Sequence, residues 1–198
     1  MITTSYFEFN QFTEIVSGAG TRAILPKMIN KLGAKRAVVF SDKVLTSIGI
    51  TGQIEDAIQA SSEIKLVGTF DEISSDAKSS DINAAVKYFK EVDGDILIAV
   101  GGGSVIDTVK AVKWCLDNHV YEIEQVLVDF IVVPYRVAKP FKTPHISIPT
   151  TAGTGSEVSQ GSVVFNERLN KKCTINHPYI ASNIAILDPD LTLALPPA

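Results

Sequence analysis

The densest group of chemically useful residues is Gly101-Gly102-Gly103-Ser104-Val105-Ile106-Asp107. Glycines let the main chain approach a ligand with no side chain in between, and they accept positive φ where a turn requires it. A helix that starts at such a turn offers unpaired N–H groups and the positive end of its dipole, a combination suited to a diphosphate. Ser104 can add a hydroxyl to the same anion. The spacing Ser104-x-x-Asp107 is also that of a helix-capping pair, which needs no ligand but leaves three consecutive glycines unexplained.

Two further candidates stand at strand ends. Thr150-Thr151-Ala152-Gly153-Thr154-Gly155-Ser156 offers small hydroxyl side chains and glycines, which line a base or a sugar without filling its space. Asp42 follows the apolar run Arg36 to Phe40. A carboxylate there can accept both hydroxyls of an adenosine ribose and repel a 2′-phosphate, favouring NAD over NADP. Its other reading is a helix N-cap for the segment from Lys43. His119, His145 and His177 are far apart with no pair at helical spacing, so no metal site is expected from this chain. No catalytic residue is assigned, because the members of a nucleophile–base set need not be neighbours in sequence.

The elements that position these residues read as alternating strands and helices. Arg36 to Phe40, Ile64 to Val67, Asp95 to Val100 and His145 to Pro149 are short apolar strands. Helical spacing runs from about Arg22 to Leu32 with Gly33 as its stop, through Ile54, Ala57 and Ile58, and through Ile82 to Val92 with Ala85, Val86 and Phe89 on one side. Val105, Val109, Val112 and Leu116 continue the pattern after the glycine turn. Tyr6 to Phe9 reads as an edge strand, and Ser162 to Phe165, Cys173 to Asn176 and Ile184 to Leu187 as later strands. The alternation implies an α/β fold, a parallel sheet with helices on both faces, whose ligands bind outside the carboxyl ends of the strands. The long apolar connection from Val120 to Thr143 either forms a short helix of its own or covers a partner surface.

Composition narrows the class. The 198 residues are 45% hydrophobic and 20% charged, the balance of an ordinary globular chain. A net charge of −4 with no local basic cluster argues against nucleic acid as a partner. Cys115 and Cys173 have neither a paired framework nor metal-ligand spacing and are expected as reduced thiols. Met1 to Asn10 lacks the basic and apolar regions of a secretion signal. The longest apolar run, Val126 to Val133, is broken by Asp129 and far shorter than the roughly 20 residues that span a bilayer. A soluble, cytoplasmic protein is expected.

Together the motifs G-G-G-S-V-I-D-T-V-K (Gly101 to Lys110), I-P-T-T-A-G-T-G-S-E (Ile148 to Glu157), L-D-P-D-L-T-L-A-L-P-P (Leu187 to Pro197) and S-D-K-V-L (Ser41 to Leu45) resemble the iron-containing (group III) alcohol dehydrogenases. The resemblance implies a Rossmann-like, dehydroquinate synthase-like N-terminal domain over residues 1–198 that binds NAD. It also implies a C-terminal helical domain, absent from these residues, that holds iron or zinc on one Asp and three His. By that resemblance Asp42 meets the adenosine ribose, and Gly102, Gly103 and Ser104 the pyrophosphate, with Asp107 near the nicotinamide end. Thr150, Thr151 and Thr154 line the adenine and phosphate side, and Lys172 (or its neighbour Lys171) contacts the cofactor. Where many relatives carry Asn-Pro, this chain has Asp76-Ala77. The metal ligands of the family lie beyond the step matching Pro196-Pro197, so these 198 residues are expected to be inactive alone. The full-length enzyme is expected to interconvert a primary alcohol and its aldehyde, and relatives are often dimers or larger. The alternatives are a stand-alone nucleotide-binding or interaction module, and a domain of a glycerol dehydrogenase or maleylacetate reductase relative.

Overall fold

A computed structural model describes residues 11–193. In chain order its elements are β1 (Glu14–Ser17), α1 (Leu25–Lys31), β2 (Arg36–Phe40), α2 (Lys43–Ser47), α3 (Ile50–Gln59), β3 (Lys65–Phe70), α4 (Ser79–Glu91), β4 (Ile96–Gly101), α5 (Gly103–Asn118), α6 (Ile123–Val126), β5 (Phe130–Val132), β6 (His145–Pro149), β7 (Gly161–Asn166), β8 (Lys171–Asn176) and β9 (Ile184–Leu187). The edge strand expected at Tyr6 to Phe9 lies outside the described residues.

Six strands form one parallel sheet in the order β1-β9-β6-β4-β2-β3. Side chains alternate across it, as a strand's two-residue period requires. On β2, Val38 and Phe40 face one core while Ala37 and Val39 face the other; on β4, Leu97 and Ala99 part from Ile96, Ile98 and Val100 in the same way. The first core is closed by α4 and α5 through Ile82, Ala85, Phe89, Val109 and Val112. The second is closed by α1 and α3 through Leu25, Ile29, Ile54 and Ile58. Helices on both faces explain why β2, β4 and β6 are largely apolar and almost wholly buried.

Three features refine the expected plan. The helix from about Arg22 to Leu32 divides into a 3-10 turn (Thr21–Ile24) and α1, because Pro26 cannot donate a helical hydrogen bond and fits only a first turn. Strands β7 and β8 do not join the main sheet. They form an antiparallel hairpin, and β5 adds to β8 in parallel, making a separate three-stranded sheet. The Val120 to Thr143 connection does fold a short helix, α6, and also supplies β5. Ile123 and Leu127 from this stretch are buried, while Phe130, Val132, Tyr135 and Val137 are exposed.

The order of crossovers matters for the site. From β2 the chain crosses outward to β3, then returns past β2 to β4 and continues in the other direction to β6 and β9. The reversal lies between β2 and β4, and in open α/β sheets that switch point is where a crevice opens at the strands' carboxyl ends. Asp42 and the glycine turn are the residues that follow these two strands.

Candidate nucleotide-binding site

A cleft of about 740 Å³ opens at this switch point, within the size range of small-molecule sites. Four strand ends build it: Asp42 to Leu45 after β2, Asp71 to Ser75 after β3, Gly102 to Val105 after β4, and Thr150 with Thr151 after β6. Ile48, Ile50 and Leu191 give it apolar wall. The structure thereby brings together Asp42, Gly102, Gly103, Ser104, Thr150 and Thr151 of the sequence-based candidates.

The glycine turn is bare main chain. Gly102 stands at the N-cap of α5 in an extended conformation, with no side-chain cap. The first helical hydrogen bond runs from Ile106 N to Gly102 O at 3.1 Å, so the amides of Gly103, Ser104 and Val105 have no helical acceptor. The capping-pair reading of Ser104 and Asp107 is thus not realised. Ser104 Oγ instead accepts a hydrogen bond from the Asp76 amide at 3.1 Å, leaving its proton for another partner. A Cβ placed on Gly101 would meet Val105 Cγ2 at 2.6 Å, which explains glycine there by packing alone. On Gly102 it would lie 3.2 Å from Thr151 Oγ1, and on Gly103 3.5 Å from Thr154 Cγ2. Thr151 Oγ1 is itself buried with no hydrogen-bond partner.

The cleft's other end is acidic. Asp42 caps α2, its Oδ1 accepting from Leu45 N at 2.9 Å, so the N-cap reading holds. Its Oδ2 accepts no hydrogen bond among the described residues, and the side chain lines the cleft. Asp71 and Glu72 face the same end, with Lys43 Nζ paired to Glu72 at 2.6 Å. That pairing, by hydrogen bond first and by charge second, holds Lys43 above its ordinary value. Sequence reasoning missed Asp71, Glu72 and Ser74. The signal was available, since they follow β3 as Asp42 follows β2.

Three sequence candidates are not on the cleft wall. Asp107 turns away: its Oδ1 accepts from Ser156 Oγ and its Oδ2 from Val163 N at 3.1 Å. Thr154 is exposed on the loop over Gly103. Lys172 projects from β8 to pair with Asp76 at 2.8 Å and so lies one residue removed from Ser104, while Lys171 pairs with Asp129. The hydrogen bond and charge of Lys172 hold Asp76 below the usual carboxylate range. Asp76 and Ala77, the pair standing where relatives carry Asn-Pro, both adopt positive φ (71° and 49°).

Among the described residues no three His, Cys, Asp or Glu side chains come together as metal ligands. His145 is fully buried on β6, its Nε2 3.1 Å from Ser147 Oγ, and burial holds it well below its ordinary value. His177 stacks on Phe141 with ring centroids 4.4 Å apart. Both cysteines are buried free thiols. The residues described do not fit a catalytic metal. No described helix is long and apolar enough to cross a membrane.

Comparison with known proteins identifies the family. The family model for iron-containing alcohol dehydrogenase matches residues 13–189. The chain is 32% identical over 183 residues to long-chain-alcohol dehydrogenase 1 of Geobacillus thermodenitrificans, covering 91% of this chain and 44% of that protein. It is 30% identical over 186 residues to 4-hydroxybutyrate dehydrogenase of Cupriavidus necator, covering 93% and 46%. The crystal structure of sulfoacetaldehyde reductase from Bifidobacterium kashiwanohense in complex with NAD+ superposes with a TM-score of 0.80 at 26% identity, covering 97% of this chain and 48% of that one. The chain spans about half the length of the relatives it matches. With a family model matching residues 13–189 of the 198, the chain belongs to the iron-containing alcohol dehydrogenase family.

Proposed function

We propose that residues 1–198 form the dinucleotide-binding domain of an NAD-linked, metal-dependent alcohol dehydrogenase, and that NAD(H) occupies the cleft at the switch point. One observation carries this reading: the cleft is carboxylate at one end and unpaired helix amide at the other. The two ends ask for different parts of one ligand. Asp42 Oδ2 and Asp71 offer acceptors to sugar hydroxyls, while the amides of Gly103 to Val105 and the α5 dipole offer donors to a diphosphate. Gly102 keeps the approach open, and a phosphate oxygen at the turn gives Thr151 Oγ1 the partner it lacks. The nicotinamide, when bound, accepts or donates the hydride.

This chain's own residues bind and orient. Asp42, already fixed by Leu45 N, presents its second oxygen without having to reorganise. Ser104, its oxygen held by Asp76 N, directs its proton outward. Asp42, Asp71 and Glu72 also disfavour a 2′-phosphate by charge, which selects NAD over NADP. Asp107 and Lys172 stand off the cleft wall, with polar atoms engaged by Ser156, Val163 and Asp76.

The alcohol or aldehyde meets the nicotinamide in the whole enzyme, together with a metal held by residues other than those described. Relatives of near-equal identity act on different alcohols by name, a long-chain alcohol and 4-hydroxybutyrate, so similarity to them assigns this chain no particular alcohol. Fluorescence titration of the 198-residue chain tests the reading. Saturable NADH binding with weaker NADPH binding supports it; a folded sample that binds neither refutes it.

A further inference from the structure

Two groups of α5 stand beside the cleft rather than on its wall, Lys110 and the part-buried Asp107. Lys110 is fully buried, and burial, opposed by the nearby Asp107 carboxylate, lowers its proton affinity. Its Nζ donates to Gly161 O at 2.7 Å, Ser159 Oγ at 2.9 Å and Ser156 Oγ at 3.3 Å, and lies 3.4 Å from Asp107 Oδ1. Asp107 accepts from Ser156 Oγ and from Val163 N, and its carbonyl accepts from Ser162 Oγ at 2.8 Å. Apart from their mutual contact and the α5 ladder, every one of these bonds enters the single stretch Ser156 to Val163.

A buried ion pair is weak evidence of stability, since apolar residues of equal volume generally serve folding as well. What this pair fixes is position. The loop from Thr150 to Ser156 contains Gly153 and Gly155 in the left-handed region, at φ 91° and 63°, so its own sequence leaves it many conformations. One end is tied where Thr150 N donates to Gly101 O at 3.1 Å. The other end is tied by Asp107 and Lys110. Between these ties Thr151 Oγ1 lies 3.2 Å from where a Cβ on Gly102 would sit, and Thr154 Cγ2 3.5 Å from one on Gly103.

We propose that Asp107 and Lys110 are positioning residues: a clamp of buried Lys110 and part-buried Asp107 that sets the threonine loop against the glycine turn, and so sets the shape of the diphosphate seat without touching the diphosphate. The proposal rests on the dinucleotide reading above. It also assigns the D-x-x-K half of the G-G-G-S-x-x-D-x-x-K stretch a task separate from that of its glycines.

Lys110→Met, Asp107→Asn and Ser159→Ala test it, with NADH affinity and hydrogen exchange of the loop amides measured on folded protein. Losing the clamp should weaken NADH binding about tenfold in Lys110→Met, the loss expected for one charge-assisted bond, and about threefold in Ser159→Ala. Amides from Thr151 to Ser156 should exchange faster while those from Ser41 to Leu45 keep their wild-type rates. Binding within twofold of wild type, or exchange rising evenly over the chain, overturns the proposal. Should Lys110→Met fail to fold, the exposed Ser159→Ala and the near-isosteric Asp107→Asn carry the same two readouts. If wild type binds no NADH the functional reading itself has failed, and loop exchange alone then decides the clamp.

Discussion

The three glycines of the turn should respond differently to the same added methyl group, and the structure sets each response. At Gly101 a Cβ would sit 2.6 Å from Val105 Cγ2 and 2.7 Å from its Cβ, contacts on a buried strand that cannot give way cheaply. Gly101→Ala should cost about 1–3 kcal/mol of folding stability, as overpacked cores do. Gly103 is the first residue of α5 with ordinary φ, and its nearest neighbour would lie at 3.5 Å. Gly103→Ala should therefore leave stability unchanged or raise it by about 0.4–1 kcal/mol through the unfolded chain. Gly102 has φ −79° and ψ −170°, open to any residue, but its methyl would press on Thr151 Oγ1 at 3.2 Å and stand in front of the amides. Gly102→Ala should fold normally and lose about 1.5–3 kcal/mol of NADH affinity, roughly 10- to 150-fold, the worth of a charge-assisted hydrogen bond. Urea denaturation and calorimetric titration of the three variants separate the two effects. A Gly102→Ala protein that binds NADH like wild type would refute the reasoning, as would equal stability losses at all three positions.

Other consequences can be checked independently. Asp42→Gly should relax discrimination against NADP, and the argument for that carboxylate fails if the unaltered chain already binds NADPH as tightly as NADH. Burial, reinforced by the Lys110 charge, pulls Lys113 down to about 7 from an ordinary 10.5, so above about pH 7 the unfolded chain holds a proton that the folded chain releases. Stability should rise with pH from about 7 towards 10, and Lys113→Met should reduce that rise, leaving the part due to the similarly buried Lys110; a flat wild-type profile contradicts it. Asp188 has a fully buried side chain whose oxygens accept from Gly20 N, Arg22 N, the Arg22 guanidinium and Asp190 N. Burial pushes its carboxyl up but these bonds outweigh it and hold it below the usual value. Asp188→Ala should cost about 2–4 kcal/mol near neutral pH, with the wild-type advantage shrinking as acid protonates the carboxylate, read from urea midpoints.

Strands with an apolar run and a clear stop were legible directly. Arg36–Phe40, His145–Pro149 and Ile184–Leu187 have the bounds their residue types indicate, because burial on both faces removes any ambiguity of period. Glu14–Ser17 escaped notice because, as an edge strand, it is mostly exposed and carries no run of buried residues. Phe130–Val132 was hidden inside an apolar stretch whose alternate residues face solvent. The glycine turn, Asp42 and the paired threonines announced the cleft, since helix start and strand end are local properties. The partners of Asp107 and Lys172 were not legible: which protein groups a carboxylate on α5 meets depends on β7, which lies over 50 residues away in sequence. A buried lysine such as Lys110 reads in sequence as a solvated one; only tertiary contact shows that Ser156, Ser159 and Gly161 surround it.

The central claim is that a diphosphate sits on the bare amides where β4 becomes α5. Backbone-amide NMR of the 198-residue chain, titrated with NADH, tests it residue by residue. The largest shifts should fall on Gly102 to Val105, with a second group at Asp42 to Leu45 and on Thr151. Shifts confined to another surface, such as the groove between α4 and α6 lined by Asn83, Lys87 and Glu124, would contradict it.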